Sequence, residues 1–427
     1  MISISQGPAR LKSFIPSILF SLQLIGLPLV SFLPGYLGMP SRNISVFFYL
    51  ILSVFTALAF LIRGRYLVPN GIIQIFFLFF TIYIIRFVIE VILGSSVFSY
   101  TISLTEFSSY LFGLVIPAFC IHGLFGRDKT PAALMPILYV GLLLFSLATL
   151  KYYFIDGNPI LDRLGANDIL NPITTGHMGV TLLIISTFSV IGLGEEKKTI
   201  YKLMYLIGIP FGALLLIFSA SKGPVIAALI ILTLMMAIGV KRKRYLAVVS
   251  LCLILILAFI YFYIQAGEQG IDLARFLSTE GFSSSQESSM ERINLLKEAI
   301  RNFIDNPFFG AGPVMKASPE FPYPHNIIVE AFMATGIFGG GLFLAGIICL
   351  CYVVIKKLYN FDPYSWVGLL FLQYLIGGIF SGNLYYNLPL WACIGLSANL
   401  LSSHSYSLRE DWLKGREAIA ARTGVFR

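Results

Sequence analysis

Long apolar stretches recur along nearly the whole chain, and each is about the length that crosses a lipid bilayer as a helix. In lipid, every backbone polar group must be hydrogen bonded within the protein, so a spanning chain forms either helices or a closed barrel. The Leu-, Ile- and Phe-rich stretches of this chain are longer and more continuous than barrel strands. Apolar residues make up 57% of the 427 residues and charged residues only 12%. The sequence therefore predicts an all-α polytopic membrane protein.

We predict about twelve transmembrane helices from these stretches. The first follows Arg10 and Lys12, and it is too long for the apolar part of a signal peptide, so we expect an uncleaved span. The predicted spans are residues 14–33, 46–62, 72–93, 104–122, 132–154, 173–193, 201–218, 224–240, 245–264, 327–355, 364–381 and 384–401. They divide the chain into a membrane region of about nine spans at 1–264, a large loop at 265–324, a membrane region of about three spans at 325–408 and a basic tail at 409–427.

Basic residues gather at one set of span ends. This set includes the run Lys241–Arg244 and the C-terminal tail, whereas the short loops at the opposite ends hold only Arg42, Arg163 and Lys222. Loops rich in Lys and Arg stay in the cytoplasm. We therefore expect a multi-pass protein of the inner, or cytoplasmic, membrane with both termini in the cytoplasm and the 265–324 loop outside. The net charge of +9 is then mainly a signal of orientation and gives no support for nucleic-acid binding.

The five cysteines all fall inside apolar stretches, where a small polarizable side chain packs well. Their spacing matches no metal site, and no cluster of His and Asp residues has the spacing of metal ligands. We therefore expect neither disulfides nor a metal or other cofactor.

The large loop contains a predicted amphipathic helix from Ser288 to Asn306. Ser288 and Glu291 form a capping-box pattern at its start, and Asn306-Pro307 stops it. We expect this helix to lie on the outer face of the helical bundle with its apolar side towards the membrane. Its apolar residues recur at helical spacing and are Met290, Ile293, Leu296, Ile300 and Phe303.

His325 lies between a proline-rich stretch and the predicted span at 327–355. A histidine at a membrane edge is often only a packing residue. Here the prolines restrict the preceding backbone, and the helix start that follows offers free N–H groups suited to an anion. These features favour a functional role for His325, with Asn326 beside it to orient the imidazole. The stiffening prolines are Pro319, Pro322 and Pro324.

The sequence around His325 resembles a motif of the O-antigen ligase and polymerase superfamily. His325-Asn326, followed by Gly336-Ile-Phe-Gly339, is similar to the histidine motif of this family. Arg292 lies in Glu-Arg-Ile-Asn-Leu-Leu-Lys-Glu-Ala-Ile, ahead of Asn-Pro-Phe-Phe-Gly-Ala-Gly, and this stretch resembles the family's arginine-bearing loop helix. Members of the superfamily are membrane glycosyltransferases that use polyprenyl-diphosphate-linked glycans.

A third element, Ser219-Ala-Ser-Lys-Gly223, resembles the family's Ser-Arg-Gly element between two spans. Lys222 stands where arginine is expected, and lysine keeps the charge but lacks the bidentate fork of a guanidinium. The three elements together cover about residues 160–345, in the order and spacing of the family. The resemblance implies a GT-C-like helical fold with one large extracytoplasmic loop.

The resemblance also implies a reaction, namely metal-independent, inverting transfer of a glycan from a polyprenyl-diphosphate donor to a glycolipid or lipid-linked glycan acceptor. Departure of the diphosphate builds up negative charge, which Arg292 and Lys222 are suited to stabilise, with Arg163 as a further cation. His325 is suited to act as general base, because imidazole has an unperturbed pKa of about 6.5. Further candidates for substrate contact are Asn326, Arg86, His177 and Arg301.

Two of these candidates leave alternatives open. Arg86 and Glu90 lie four residues apart in the third predicted span, so they either form a structural pair or contact the donor. His177 lies at the mouth of the sixth span, where it is either an interfacial residue or a substrate contact. Tyr323, Tyr385 and Tyr386 fit the aromatic belt at the membrane interface and could also stack on sugars.

The predicted function is therefore transfer of a lipid-linked glycan at the outer face of the membrane, by a ligase or a polymerase. The sequence does not separate these two, because both use the same type of donor and differ only in the acceptor. A transporter or flippase of the same glycans is the alternative. Transporters often have internal repeats and ionisable or broken helices at the midplane, and the sequence shows no clear repeat.

Overall fold

The computed structural model describes residues 7–33, 41–63, 70–93, 102–125, 133–155, 170–191, 199–219, 221–239, 282–315 and 323–400. Within these ranges the chain is helical and forms no β-strand. The structure thus confirms the all-α prediction. Predictions that concern Arg163, the run Lys241–Arg244, the span at 245–264 and the basic tail lie outside the described residues.

The helices follow the predicted spans closely. Their bounds are α1 Gly7–Val30, α2 Ser41–Arg63, α3 Gly71–Ile92, α4 Leu104–Leu124, α5 Leu134–Leu150, α6 Pro172–Ile191, α7 Thr199–Phe218, α8 Lys222–Gly239, α9 Phe282–Asp305, α10 Ile327–Tyr359, α11 Ser365–Ser381 and α12 Leu388–Leu400. A π-helical turn at Leu111–Val115 interrupts α4, and another at Lys151–Ile155 extends α5.

Six helices in the described ranges are long and apolar enough to cross a membrane, namely α3, α4, α5 with its extension, α6, α7 from Ile200, and α10. The shorter apolar helices are Phe14–Val30, Phe47–Ile62, Lys222–Ile238, Ser365–Ser381 and Leu388–Leu400. A polytopic membrane protein fits these helices. The number of twelve spans stays a prediction.

Aromatic packing joins α3 to α10 in the middle of the bundle. The ring of Phe343 on α10 lies 6.1 Å from that of Phe76 and 5.1 Å from that of Phe79, both on α3. Trp391 of α12 is fully buried, and its ring lies 4.5 Å from that of Phe80. Rings at these separations add stabilisation beyond the area they bury. This packing fixes α10, the helix that begins two residues after His325.

Glycines let α6 and α7 approach each other closely. A Cβ at Gly179 of α6 would clash with the carbonyl oxygen of Gly212 on α7, and a Cβ at Gly212 would clash with that of Gly179. Small residues at such contacts are typical of membrane helices, where close packing replaces the hydrophobic effect as the driving force. As a result α6, which carries His177, is largely enclosed by the other helices.

The path of α10 breaks at Gly336, whose φ of 64° and ψ of −163° are not helical. The segment after α9 packs against this break. Ile337 donates its backbone N–H to the carbonyl oxygen of Pro307 at 2.7 Å, and Ala311 donates to that of Met333 at 2.8 Å. A broken helix needs such partners wherever lipid replaces water. Gly310, with a φ of 76°, lies against the backbone of Ala334, where a Cβ would clash.

Helix α9 begins at Phe282, six residues before the predicted start at Ser288, and ends at Asp305 beside the predicted stop. Its buried residues are Leu295 and Ala299, which pack with Met315, Met333 and Val329. Met290, Ile293 and Ile300 are exposed, so the expectation that this apolar side lies towards the membrane stays a prediction. Helical spacing reveals apolar positions, but it does not tell which of two neighbouring faces meets the protein.

Candidate active site

A cavity of about 430 Å³ lies at the end of the bundle where α10 begins. Its walls come from α1, α2, α6, α9, α11 and the start of α12, together with the segments before α6, before α10 and after α11. Polar and aromatic side chains form one part of the lining, and these are Gln23, Tyr49, Asn171, Thr174, His177, Arg292, Tyr323, His325, Tyr374, Ser381, Asn383, Tyr386 and Asn387. Apolar side chains form another part, and these include Leu22, Leu24, Leu27, Pro28, Leu170, Ile173, Met178 and Leu388. The cavity therefore offers both a polar and an apolar surface.

His325 lines this cavity from an unusual backbone conformation. Its φ is 58°, in the left-handed region that residues with a Cβ rarely adopt. Backbone strain of this kind costs about 1–3 kcal/mol and persists where the surrounding structure imposes it. The ring of Tyr323 lies 4.6 Å from the imidazole, in an edge-on arrangement. The side chain is thus held in one place just before α10.

Burial gives the His325 imidazole a low affinity for a proton. The residue is 7% exposed. Loss of hydration and, second to it, the positive charge of Arg292 lower its pKa to about 4, although a hydrogen bond with the backbone of Ser381 acts in the opposite direction. The imidazole is therefore neutral at pH 7 and able to accept a proton.

Asn326 starts α10. Its Oδ1 accepts hydrogen bonds from the backbone N–H groups of Ile328 and Val329, both at 3.1 Å. This is the N-cap arrangement, in which an amide oxygen satisfies backbone donors that lack a helical partner. Asn326 is not among the cavity-lining residues, so its predicted contact with the substrate stays a prediction. Its capping role fixes the helix start directly after His325.

Arg292 reaches the same cavity from α9. It is exposed, and its positive charge lowers the pKa of His325 and offsets part of the rise that burial gives to the pKa of Tyr323. Leu295 and Ala299, on the buried face of the same helix, pack against α10. The two residues predicted to carry the chemistry, Arg292 and His325, are therefore brought together by the docking of α9 on α10.

His177 lines the cavity from α6 and is 8% exposed. In the described part of the chain its Nδ1 has no hydrogen-bond partner. The backbone of His177 is fixed by Gln373, whose Nε2 donates to the carbonyl oxygen at 2.7 Å. Gly377 leaves room for the ring, since a Cβ there would clash with it. Its position in the cavity favours the substrate-contact alternative over that of a simple interfacial residue.

In the segment that follows α11, sequence reasoning named Tyr386 and missed Asn383 and Asn387. Asn383 and Asn387 line the cavity, as does Tyr386, whose hydroxyl lies 3.3 Å from that of Tyr49. The Oδ1 of Asn383 accepts from the backbone N–H of Tyr386 at 2.8 Å, which shapes the turn. A signal for this segment was available in the sequence. Polar residues lie between two short apolar spans there, in Gly-Asn-Leu-Tyr-Tyr-Asn from Gly382.

Glu330 was also missed, although it is an acid near the start of a long apolar span. It is 0% exposed, and its Oε2 accepts a hydrogen bond from the backbone N–H of Leu384 at 3.0 Å. Its Oε1 has no hydrogen-bond partner among the described residues. Burial raises the pKa of Tyr323 and of Tyr385, and the charge of Glu330 is the next cause in both. Glu330 thus fastens α10 to the segment that carries Asn383.

Arg86 is engaged in the structure outside the cavity. Its guanidinium lies 2.5 Å from Oε1 of Glu90 and donates a hydrogen bond to the carbonyl oxygen of Ala311 at 2.8 Å. The pair holds the segment after α9 against α3. This geometry favours the structural alternative for Arg86 and Glu90, and it gives no support to the predicted substrate contact of Arg86.

The remaining predicted cations do not line the cavity. Lys222 is the exposed first residue of α8, and Arg301 is exposed on α9. The turn before Lys222 is ordered by Ser221, whose hydroxyl donates to the carbonyl oxygen of Ser219 at 3.0 Å. Among the described residues no group of three or more His, Cys, Asp or Glu side chains is arranged to hold a metal ion. Arg163 lies outside the described ranges.

Comparison with known proteins finds a match to the part of the chain that carries Arg292 and His325. Residues 206–344 match the family model described as O-antigen ligase, a stretch that runs from α7 into α10 and includes Lys222, Arg292 and His325. A search of curated proteins found no match. This match confirms the predicted resemblance to the O-antigen ligase and polymerase superfamily.

Proposed function

We propose that this protein is a membrane glycosyltransferase that moves a glycan from a polyprenyl-diphosphate donor to an acceptor hydroxyl. The transfer takes place at the outer face of the cytoplasmic membrane, in the biosynthesis of a cell-surface polysaccharide. One observation carries the proposal: Arg292 and His325, both within the matched residues 206–344, line the same cavity. A cation and a neutral base are the two groups that this transfer needs.

The two surfaces of the cavity suit a donor that is itself amphipathic. The polar surface around Arg292 receives the diphosphate and the first sugar, and the apolar surface formed largely by α1 and α6 receives the start of the polyprenyl chain. Arg292 stabilises the charge that builds up on the diphosphate as it departs. His177 and Asn383 are suited to bind sugar hydroxyls, since both line the polar surface.

In the reaction, the acceptor oxygen forms a bond to the anomeric carbon from the side opposite the diphosphate. The bond between that carbon and the diphosphate oxygen breaks, and the diphosphate leaves with the bonding electrons. The acceptor proton passes to His325. Attack from the opposite side inverts the anomeric configuration, and no metal takes part.

The low pKa of His325 makes it available as a base but also a weak one, because general-base catalysis is most effective when the pKa lies near the working pH. A bound diphosphate brings negative charge to the neighbourhood of Arg292. Opposite charge favours the imidazolium form, so donor binding raises the pKa of His325. The base therefore becomes stronger when the donor is present.

The test is transfer by the purified protein, supplied with a polyprenyl-diphosphate glycan and either a glycolipid or a second lipid-linked glycan as acceptor. Transfer in the presence of EDTA, with inversion at the anomeric carbon by NMR, is expected. The acceptor that is used separates a ligase from a polymerase. Absence of transfer with every acceptor, together with donor movement across proteoliposome membranes, would establish the flippase alternative.

A further inference from the structure

Helix α9 has a second apolar face that the described residues leave uncovered. Met290 is 55% exposed and Ile304 is 65% exposed, and Ile293 and Ile300 between them are exposed as well. These four residues recur at helical spacing and lie beside the face that packs on α10. Phe308 and Phe309, just after the helix, are 62% and 72% exposed. We refer to these six residues as the exposed patch.

The exposed patch is continuous with the outer surface of α10. The rings of Phe308 and Phe309 lie 6.4 Å and 5.9 Å from that of Phe338, which is itself exposed on α10 next to Ile337. Hydrogen bonds from Ile337 to Pro307 and from Ala311 to Met333 hold the two parts together. Because exposed apolar residues of a membrane-spanning helix face lipid, the patch extends a lipid-facing surface.

The length of α10 shows where this surface meets the edge of the bilayer. The helix has 33 residues and breaks at Gly336, whereas the hydrocarbon core is about 30 Å thick and needs about 20 residues. Lys356 and Lys357 mark one end of the apolar stretch. Counting about 20 residues back from Ile355 reaches Gly336. The level of Phe308 and Phe309 is therefore the edge of the hydrocarbon core.

Charges on α9 are arranged to suit a lipid surface. Lys297 lies between Ile293 and Ile300 on the exposed face, and Arg301 follows it by four residues. The acids Glu291, Glu298 and Asp305 recur every seven residues and form a separate stripe. Basic residues beside an apolar face are typical of helices that lie in the interface of anionic membranes.

We propose that α9 and the phenylalanines after it lie in the membrane interface, with the exposed patch inserted among lipids at the edge of the hydrocarbon core. The partner is the phospholipid leaflet on the side where α10 begins, with anionic head groups near Lys297 and Arg301. The bilayer thereby covers one face of the helix whose other face presents Arg292 to the cavity. This inference depends on α10 as a membrane span and not on the proposed chemistry.

Spin labels at neighbouring positions test the inference directly. In a variant with its five cysteines replaced by alanine, single cysteines at Ile304 and Phe309 are compared with matched controls at Asp305 and Asn306. The protein is reconstituted in vesicles of phosphatidylethanolamine and phosphatidylglycerol. Collision rates are measured by EPR with molecular oxygen, which dissolves in lipid, and with a water-soluble nickel chelate.

We expect labels at Ile304 and Phe309 to collide with oxygen and to be shielded from nickel, and labels at Asp305 and Asn306 to collide with nickel. Nickel access at all four positions would show that the patch faces water and would overturn the inference. Shielding of Ile304 and Phe309 from both reagents would overturn it too, because that result indicates a protein partner such as a second copy of the chain. Neither outcome depends on glycan transfer.

Discussion

Two arginines near the start of α10 show different uses of the same charge. Arg86 lies on α3, with its side chain 15% exposed, and is engaged by the carboxylate of Glu90 and the carbonyl oxygen of Ala311. Arg292 lies on α9, lines the cavity, and acts on the pKa of His325. A charge already paired within the protein stabilises the fold, whereas a charge directed at a cavity can act on a ligand. The predictions below test this contrast.

The largest effect is expected at His325. His325→Asn should fold normally, because asparagine tolerates the positive φ of 58° better than most residues. Removal of a general base typically lowers the rate by about 100-fold to 10,000-fold. Transfer rate and thermal stability are measured on the purified variant. A near-normal rate would remove His325 from the mechanism, while donor binding should survive the substitution.

The second-largest effect is expected for Arg292→Ala. It should lower kcat by about 100-fold to 1,000-fold, the range found when one group that stabilises developing charge is removed. Arg292→Lys should lose less, since it keeps the charge and loses only the fork geometry. Arg301→Ala on the same helix is the matched control and should retain its rate, as it does not line the cavity. Equal rates for the Arg292 and Arg301 variants would contradict the contrast between paired and available charge.

Arg86→Ala should act on stability and leave kcat per folded molecule nearly unchanged. Loss of one partner of a buried ion pair costs about 3–5 kcal/mol, and the 15% exposure of the Arg86 side chain brings the expected cost below that range. Thermal unfolding in detergent measures it. The double variant Arg86→Ala with Glu90→Ala should be more stable than Arg86→Ala, because it contains no Glu90 carboxylate without a partner charge. A selective loss of donor affinity would instead give Arg86 a substrate contact.

Glu330 is expected to matter through its hydrogen bond to Leu384. Glu330→Gln keeps an oxygen that can accept from this N–H at 3.0 Å, and Glu330→Ala removes it. A hydrogen bond within a protein contributes about 0.5–1.5 kcal/mol, so the alanine variant should be less stable and should exchange the Leu384 amide hydrogen faster. The glutamine variant should restore slow exchange. Fast exchange in both variants would mean that the carboxylate charge itself is required.

The smallest effect concerns pH. The specificity constant kcat/KM should fall as pH drops through the pKa of His325, about 4, because the protonated imidazole cannot accept a proton. Arg292→Gln removes a positive charge that disfavours the imidazolium, so this pKa should rise and the acid limb should move to higher pH. The pKa of His325 should return only part of the way to the ordinary value of a histidine, since burial is the larger cause of its lowering. An acid limb unmoved in this variant would show that Arg292 does not act on His325.

The sequence predicted the helical class, since helix ends follow from apolar lengths and punctuating residues. The predicted end of α9 at Asn306-Pro307 and the start of α10 after His325 agree with the structure. Sequence also selected Arg292 and His325, because residue type and motif spacing are local properties. It missed Asn383 and Glu330, whose position at the site depends on contacts with residues more than fifty positions away.

The amino-acid sequence by itself determined where apolar helices form and which residues have chemistry to offer, because hydrophobic length, capping and side-chain type act within a few turns of chain. Tertiary structure alone decided that Arg292 lines the cavity with His325 while Arg86 pairs with Glu90 and Ala311. It also decided which face of α9 packs on α10. These outcomes depend on how distant helices pack, and close packing in three dimensions is not encoded in the spacing of any one segment.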